Sequence, residues 1–583
     1  MNSFFNFLSI VGNKMDTIEA IELIYTIKAW IVLSEEGKLD SSEVVFNQSE
    51  MQSMDAEALS HIFDKLAAYH KVFELYTSKS NRIKSIDQNK LRELLHFVKE
   101  SKDLPRVNDA FYSTKHFVRD YAVSNQIAQL GVKLLNGVSD TIYVPFTNGF
   151  AYAYATNKKI CAENQITRDA LVAELMNIID CTQIEFHLTN ALENPSYIES
   201  NKEEQLRQFK LALSFPPFSM RGRIDLSKDK YHRFKVHKGS ILDVAHFEHI
   251  LAQTKGKAVV LMSVGFTYRA GVEEEFRAYL VENNWLEAVI QLPPNLHSAT
   301  SIETTFFIVN KQKIDHRVQF INLKHEQFFT KEGRQIVFKD IDELVDIYRD
   351  RSEIENISTL VEPETIKAFN YSLAIDRYIL SSEAKEIEKK LSSYQKIALQ
   401  DIADIRRSQL FKDEEDGKEV YELSPSDFAL AGFTMECGKL KHLGEQSKKY
   451  ETYKLQPYDI LLSSKGTVGK VALIGEIKEP LIASQAIQVI RLKNEGDIKT
   501  DAIVLYMFLK SDIGQAMLKQ LVAGVAMPQI STKEIKQLEI PLFSTEEKEH
   551  IVNNFNKEIK MQEEIEQLKS KIDEIHHNIL GEK

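Results

Sequence analysis

Between residues 121 and 325 short apolar runs alternate with amphipathic segments, and this alternation constrains the fold more than any other feature of the chain. The runs 141–145, 159–162, 183–188, 210–214, 258–262, 286–291 and 304–309 have the length and composition of strands. Between them, residues 127–135, 168–179 and 272–282 place apolar side chains at helical spacing. Strands separated by helices predict a parallel, doubly wound α/β sheet with helices on both faces. Ligands of such sheets lie beyond the carboxyl ends of the strands, so the strand-end residues carry the functional information.

The rest of the chain is organised around this segment. At 583 residues it should hold several domains, because single cores rarely grow past about 250–300 residues. Residues 1–120 read as a helical domain, with Ile21, Ile24, Ile27 and Ile31, then Leu91, Leu94, Leu95 and Val98, at helical spacing around the polar break Ser78-Lys79-Ser80-Asn81. By themselves these helices imply packing and no chemistry. Residues 121–380 form the α/β domain, 381–396 a charged helical linker, and 397–543 a compact β-rich module of short strands and turns. Residues 544–583 read as a long helix. Ser544-Thr545-Glu546-Glu547-Lys548 has capping-box form with Ser544 or Thr545 as cap. Ile565, Leu568, Ile572, Ile575 and Ile579 then step as a coiled-coil seam, too short to be stable without a partner helix.

Composition excludes several classes. Cys161, Cys181 and Cys437 are widely separated and supply neither a disulfide framework nor a zinc site, so a reducing, cytoplasmic setting without metal is expected. No run reaches the roughly 18–20 apolar residues that span a bilayer. The apolar stretch from Phe4 to Val11 lacks the basic leader and small-residue cleavage site of a signal peptide, and either Met1 or Met15 can be the start. The net charge of −12 argues against a chain that coats nucleic acid throughout, while leaving room for a local basic surface.

Three strand ends stand out in the α/β segment. At the first, Val144-Pro145-Phe146-Thr147-Asn148-Gly149-Phe150, a nucleotide-like cofactor needs glycines for close backbone approach, and only Gly149 is present. At the second, Glu163 in Ala162-Glu163-Asn164 either binds ribose hydroxyls or is a solvated acid at a helix start. The third, Ser214-Phe215-Pro216-Pro217-Phe218-Ser219, is either a rigid apolar turn plugging a core or the wall of a base-binding pocket.

In the β-rich module, Ser464-Lys465-Gly466-Thr467-Val468-Gly469-Lys470 lacks the four-residue spacer of a P-loop, which rules out that NTPase reading. Its glycines and flanking lysines suit backbone approach to a nucleic-acid phosphate. Between Lys439 and Lys470 seven lysines face three acids, a local excess of +4 within an acidic chain. Phosphate neutralisation supplies most non-specific DNA affinity. Lys448, Lys449, Lys454, Lys465, Gly466, Thr467, Gly469 and Lys470 are therefore the candidate DNA-binding residues, the alternative being a solvated lysine-rich surface.

Several stretches carry a family resemblance. Leu286-Glu287-Ala288-Val289-Ile290-Gln291-Leu292-Pro293-Pro294-Asn295-Leu296, Asn370-Tyr371-Ser372-Leu373-Ala374-Ile375-Asp376-Arg377-Tyr378 and the Pro216-Pro217 turn resemble, in order, the modification subunit of type I restriction-modification systems, an N6-adenine DNA methyltransferase. Residues 455–473, with Ser511-Asp512-Ile513-Gly514 and Ala523-Gly524-Val525-Ala526-Met527-Pro528-Gln529-Ile530-Ser531, resemble one target recognition domain of a type I specificity subunit. The resemblance implies a Rossmann-type fold and S-adenosylmethionine as cofactor. Pro145, Asn148, Gly149, Glu163 and Asn190 fall at its cofactor positions, and Phe215, Pro216, Pro217 and Phe218 at its catalytic turn.

The departures fall on the chemistry. The family's first loop runs Asp-Pro-x-x-Gly-x-Gly, and in ungapped register this chain lacks the acid and both glycines. Asn190 stands near the third-strand acid. Phe215 replaces the Asn that accepts a hydrogen bond from the target amine. A phenyl ring cannot accept that bond, and one lost transition-state contact typically costs about 10²–10³ in rate. The sequence thus points to a fused methyltransferase-like and specificity-like chain that recognises double-stranded DNA in restriction-modification or phage defence, with a weak or inactive methyltransferase half. It would pair with itself through the last helix or assemble with restriction and modification subunits. The alternative is a working S-adenosylmethionine-dependent N6-adenine methyltransferase with a diverged pocket.

Overall fold

The computed structural model describes residues 4, 16–39, 44–47, 54–80, 82–83, 86–101, 104–112, 123–199, 204–296, 302–333, 335–380, 386, 389–435, 438–493, 496–521 and 529–577. The apolar stretch 5–11, Met15, Cys437, the linker start at 381–385, residues 523–528 and Ile579 lie outside the described residues. The chain divides into two compact units, residues 1–379 and 380–583.

The first unit opens with helices α1 (Thr17–Glu35), α2 (Ala56–Leu66), α3 (Gln88–Glu100), α4 (Val107–Tyr112) and α5 (Asn125–Leu135). Side chains start four of them. Asp16, Asp55, Asp87 and Ser124 each accept a backbone N–H of the first turn of α1, α2, α3 and α5, satisfying donors that have no intrahelical partner.

A nine-stranded sheet follows, made of β1 (Thr141–Pro145), β2 (Lys159–Asn164), β3 (Ile184–Leu188), β4 (Phe209–Ser214), β5 (Thr254–Ser263), β6 (Leu286–Gln291), β7 (Thr304–Asn310), β8 (Val318–Asn322) and β9 (Ser358–Val361). Helices α6 (Thr167–Ile179), α7 (Asp243–Ala252), α8 (Val272–Glu282) and α9 (Ile341–Arg349) connect them. The strand order is β9-β8-β6-β7-β5-β4-β1-β2-β3.

The sheet is mostly parallel rather than wholly so. β7 runs antiparallel between β5 and β6, and β9 antiparallel to β8. Antiparallel neighbours can be joined without a crossover helix, which suits the short segment 292–303.

Alternation along the strands divides the core. Ile142 and Val144 of β1, with Leu211 and Leu213 of β4, join one apolar cluster shared with the N-terminal helices. Tyr143 and Ala212 join the other, with Phe247 of α7 and Phe276 of α8. The chain runs outward through β1, β2 and β3, then returns to place β4 on the other side of β1. The carboxyl ends of β1 and β4 are therefore the topological switch point, where such sheets leave a crevice.

Among the described residues the second unit has, beside a two-stranded pairing of Lys396–Ala398 with Glu539–Pro541, two small sheets. β10 (Ala403–Arg407), β12 (Phe433–Thr434), β14 (Ile460–Ser463), β15 (Val471–Ile474) and β17 (Ile487–Leu492) form one in the order β10-β17-β14-β15-β12. β11 (Glu419–Leu423), β13 (Lys439–His442) and β16 (Leu481–Ala483) form the other, in the order β13-β11-β16. Helices α10 (Ser447–Tyr453), α11 (Ile498–Lys510) and α12 (Asp512–Gln520) precede the last and longest, α13 (Thr545–His577). Ser544 is its cap: Ser544 Oγ accepts Glu547 N–H at 3.3 Å and Glu547 Oε2 accepts Ser544 N–H at 2.8 Å.

Candidate cofactor cleft and nucleic-acid interface

β1 delivers Pro145 to the switch point, where the chain is tied to β4. Pro145 O accepts Ser214 Oγ–H at 2.7 Å and Thr147 Oγ–H at 3.2 Å, and Thr147 Oγ1 accepts Phe215 N–H at 3.0 Å. Between these ties Phe146 adopts φ +62°, a region disfavoured for a bulky side chain. Its buried ring packs with its centroid 4.6 Å from that of His246 and 5.2 Å from that of His249.

The remaining loop residues face α4 and α6. Gly149, at φ +69°, donates its N–H to Asp169 Oδ2 at 3.1 Å. A Cβ there would sit 3.0 Å from Asn108 and Tyr112, so packing against α4 as well as backbone angle demands glycine. Phe150 N–H bonds Asn108 Oδ1 at 2.7 Å. Asn164 donates to Thr147 O and Asp169 Oδ2, both at 2.7 Å, and Tyr112 donates to Asp169 Oδ1. Burial pushes Asp169 up to about 8, with the Gly149 N–H opposing. Asn148 is half-buried in this loop.

Glu163, at the end of β2, has no exposed surface. Its Oε1 accepts Tyr143 O–H at 2.5 Å and its Oε2 accepts Ser196 N–H at 2.8 Å, with His249 Nε2 at 3.7 Å from Oε1. Burial raises its pKa, but the neighbouring His249 ring and the hydrogen bonds from Tyr143 and Ser196 outweigh this and hold the carboxyl below its ordinary value. Asn190 is half-buried and its Oδ1 accepts Leu192 N–H at 3.2 Å, closing a local turn.

Phe215 is buried on the opposite face of the sheet from Phe146. Its ring lies against Tyr152 and Phe306, with centroid separations of 6.4 and 6.2 Å. A Cβ on Gly131 of α5 would come within 3.1 Å of its tip. Pro216 is buried, Pro217 and Phe218 are half-buried, and Phe218 packs against the same cluster. The turn ends at Ser219, φ +53°, whose N–H donates to Asp243 Oδ1 at 2.7 Å. Asp243 is 1% exposed, and burial raises it to about 6 against the Ser219 bond and Arg269.

These residues do not fit an adenosine cofactor as they stand. The loop N–H groups of Phe146, Gly149 and Phe150 have partners in the protein, the strand-end acid is fully buried with both oxygens engaged, and Phe146 lies over α7. Sequence reasoning missed Tyr143, Thr147, Asp169, Arg233, Asp243 and His249. The one available signal was the density of titratable residues in Asp243-Val244-Ala245-His246-Phe247-Glu248-His249, a segment whose seven side chains are all buried. Among the described residues no group of three or more His, Cys, Asp or Glu side chains is arranged to hold a metal ion.

In the second unit, residues 464–470 cap the β14–β15 hairpin. Ser463 organises the turn, its Oγ–H donating to Thr467 O at 2.6 Å and its Oγ accepting Lys470 N–H at 2.8 Å. Gly466, at φ +74°, is exposed with nothing within 4 Å of where a Cβ would stand, an open approach to backbone. Gly469, at φ +92°, is buried and its carbonyl accepts Gln515 Nε2–H at 3.0 Å. Thr467 and Lys470 are exposed and Lys465 half-buried.

Lys448 and Lys449 are exposed on α10. Lys454 pairs with Glu451 at 2.6 Å. The local charge excess is smaller than the residue count implies. Lys441 is buried, 2.8 Å from Glu422 Oε2 and donating to Phe411 O at 2.8 Å.

Two measurements check this geometry. Phe215→Asn should lower stability by about 2–4 kcal/mol in urea unfolding, because it leaves a cavity and a buried amide among apolar side chains. Asp243 has a folded pKa of about 6 against an ordinary value of 3.8, so the folded state holds a proton that the unfolded state has lost. Its contribution therefore falls as pH rises from about 4 to about 6 and is flat above, by up to about 3 kcal/mol. Asp243→Asn should remove that slope from the pH profile of unfolding relative to the parent chain.

Residues 163–387 match the family described as N-6 DNA Methylase, and residues 392–576 the family described as Type I restriction modification DNA specificity domain. The first match begins at Glu163, beyond the 144–150 loop. The methylase subunit of the type I restriction enzyme MpnII of Mycoplasma pneumoniae is 31% identical over 242 residues, 40% of this chain and 43% of that protein. The methylase subunit of the type I restriction enzyme MjaVII of Methanocaldococcus jannaschii is 25% identical over 250 residues, 39% of this chain and 42% of that protein. The matched region thus spans less than half the length of these relatives. The crystal structure of the type I restriction-modification methyltransferase subunit from Streptococcus thermophilus superposes with a TM-score of 0.53 at 17% identity, covering 65% of this chain and 98% of that one, a likeness of fold. The chain joins an N-6 DNA methylase domain to a type I restriction modification DNA specificity domain in one polypeptide.

Proposed function

We propose that this chain is a sequence-specific DNA-recognition component of a restriction-modification or phage-defence system, in which the methylase-type domain is weak or inactive in methyl transfer. The observation that carries this reading is Phe215. It stands where the catalytic turn needs a hydrogen-bond acceptor for the target amine, and its ring is buried against Tyr152 and Phe306. The surroundings of Glu163 and Phe146 support it, since neither is free to receive S-adenosylmethionine. Double-stranded DNA is the partner, read by the specificity domain through the exposed Gly466 turn and through Lys448, Lys449, Lys465 and Lys470. The match to the N-6 DNA methylase family favours a second reading, an active S-adenosylmethionine-dependent N6-adenine methyltransferase.

Methyl transfer from S-adenosylmethionine to mixed-sequence duplex DNA, run beside DNA-binding titrations, separates the two. Little or no transfer with retained DNA binding is expected, and Phe215→Asn should not restore transfer; efficient turnover by the parent chain would establish the second reading. Lys465→Ala and Lys470→Ala should each weaken binding and lower the slope of log affinity against log salt by about one.

The second partner is another copy of this chain, or a restriction or modification subunit, through α13. Val552, Phe555 and Ile559 pack that helix onto the second unit, while Met561, Ile565, Leu568 and Ile572 are 45–63% exposed along one stripe. Glu564 and Lys571 flank the stripe seven residues apart, so an antiparallel copy sets opposite charges together. A two-fold pair would read a bipartite, symmetric site. Light scattering should give a dimer that Leu568→Glu returns to monomer; a parent chain that stays monomeric with and without DNA would refute the pairing.

A further inference from the structure

We infer that a chain of internal hydrogen bonds occupies the nucleoside end of the cleft, so that the first unit folds and stays closed without an adenosine cofactor. This deepens the reading above and concerns the same site.

The chain of bonds begins at Asp229 and ends at Glu163. Arg233 Nε–H donates to Asp229 Oδ1 at 2.8 Å, and the guanidinium also donates to Ala191 O and Leu192 O at 2.7 and 2.6 Å. Its Nη1 lies 2.7 Å from His249 Nδ1. A guanidinium only donates, so Nδ1 is the acceptor and the proton of the neutral imidazole is on Nε2. Complete burial, the first cause of the lowered His249 pKa, agrees with a neutral ring.

His249 Nε2–H then donates to Tyr143 Oη at 2.7 Å. The single proton of Tyr143 has two acceptors in reach, Glu163 Oε1 at 2.5 Å and Gln253 Oε1 at 2.7 Å. The shorter bond to the charged acceptor takes it. Gln253 is held from its other end by Nε2–H to Tyr197 O at 2.9 Å. With Ser196 N–H on Oε2, the carboxylate has a donor on each oxygen before any ribose arrives.

The positions matter as much as the bonds. Glu163 is the strand-end acid that a ribose diol would address, yet Tyr143, Glu163 and His249 are 0% exposed. Their polar atoms are satisfied within the protein, and a diol entering here would have to break bonds in a medium where unpaired polar atoms are costly. Phe146 covers the same helix, its ring within 5.2 Å of His249. Arg233 also closes the third-strand turn by holding Ala191 O and Leu192 O, next to Asn190. One set of side chains thus ties β1, β2, α7 and the segment after β3 at the point where a cofactor would otherwise bridge them.

The test is thermal unfolding of the full chain with S-adenosylmethionine and, separately, S-adenosylhomocysteine at about 1 mM. A ligand at 100 times its Kd would raise the midpoint by several degrees. The parent chain should shift by less than about 1 °C with either; a saturable rise of about 3 °C or more overturns the inference. Tyr143→Phe, which keeps the ring, and Glu163→Gln should each lower the midpoint, and the double variant should fall no further than the worse single one. Additive losses, or no loss in Tyr143→Phe, overturn the continuous bond chain, and Tyr143→Phe serves if Glu163→Gln does not fold. A chain that binds DNA and also S-adenosylmethionine refutes this inference alone; one that binds neither refutes the DNA-recognition reading alone.

Discussion

The architecture of the first unit depends on how the carboxyl ends of β1 and β4 are held. A doubly wound sheet that reverses direction there leaves two strand ends splayed toward opposite faces, and something must fill the gap. Here Pro145 O, Thr147 Oγ1, Ser214 Oγ and Phe215 N–H close it with three hydrogen bonds. Once the backbones are tied, the two phenylalanines that follow the strands have fixed destinations. Phe146 turns onto α7 and Phe215 onto α5, so the crevice is plugged from both faces. The positive φ of Phe146 is the local strain this requires, held in place by the ring's burial.

The polar side of the same region follows from that closure. A strand-end carboxylate with water above it needs no protein partner; one sealed under Phe146 and α7 does. Glu163 finds Tyr143, Ser196 N–H and, through Tyr143, His249 and Arg233. Buried polar networks of this kind are stable only when nearly every member is satisfied. That is why substitution at one position cannot be expected to recreate an open site. Reopening it would need a smaller residue at 146, a free carboxylate at 163 and a repacked α7 together.

The second unit is built around a different feature, a glycine turn and exposed lysines that the proposed reading gives to DNA. Its sheets bury Leu461, Leu462, Ala472, Leu473 and Ile490, so the β14–β15 turn stands on a packed core. Ser463 spends its hydroxyl on both sides of the turn, so Gly466 protrudes without a side chain while Lys465 and Lys470 flank it. Lysines that look equivalent in sequence separate into two kinds. Lys441 and Lys454 are neutralised by Glu422 and Glu451, whereas Lys448 and Lys449 are exposed on α10.

The sequence by itself determined the fold class, because strand and helix periodicity and the Pro-Pro and Lys-Gly-Thr segments depend only on local residue types. That Phe215 can accept no hydrogen bond through its ring, and that Gly149 is the one glycine between residues 144 and 150, were equally legible, since what a side chain cannot donate or accept is a property of the residue alone. Tertiary structure decided the rest. Nothing in the spacing of Tyr143, Glu163, Arg233 and His249 shows that they meet, because three different elements must pack before their atoms come within hydrogen-bond reach. Likewise, only packing settles whether Glu163 is solvated or sealed, whether Phe146 enters the cleft, and which lysines keep their charge free. The reversed β7 belongs there too, as strand direction depends on which neighbour completes the ladder. Local chemistry names the parts of this site, and long-range packing assigns them to holding the protein closed.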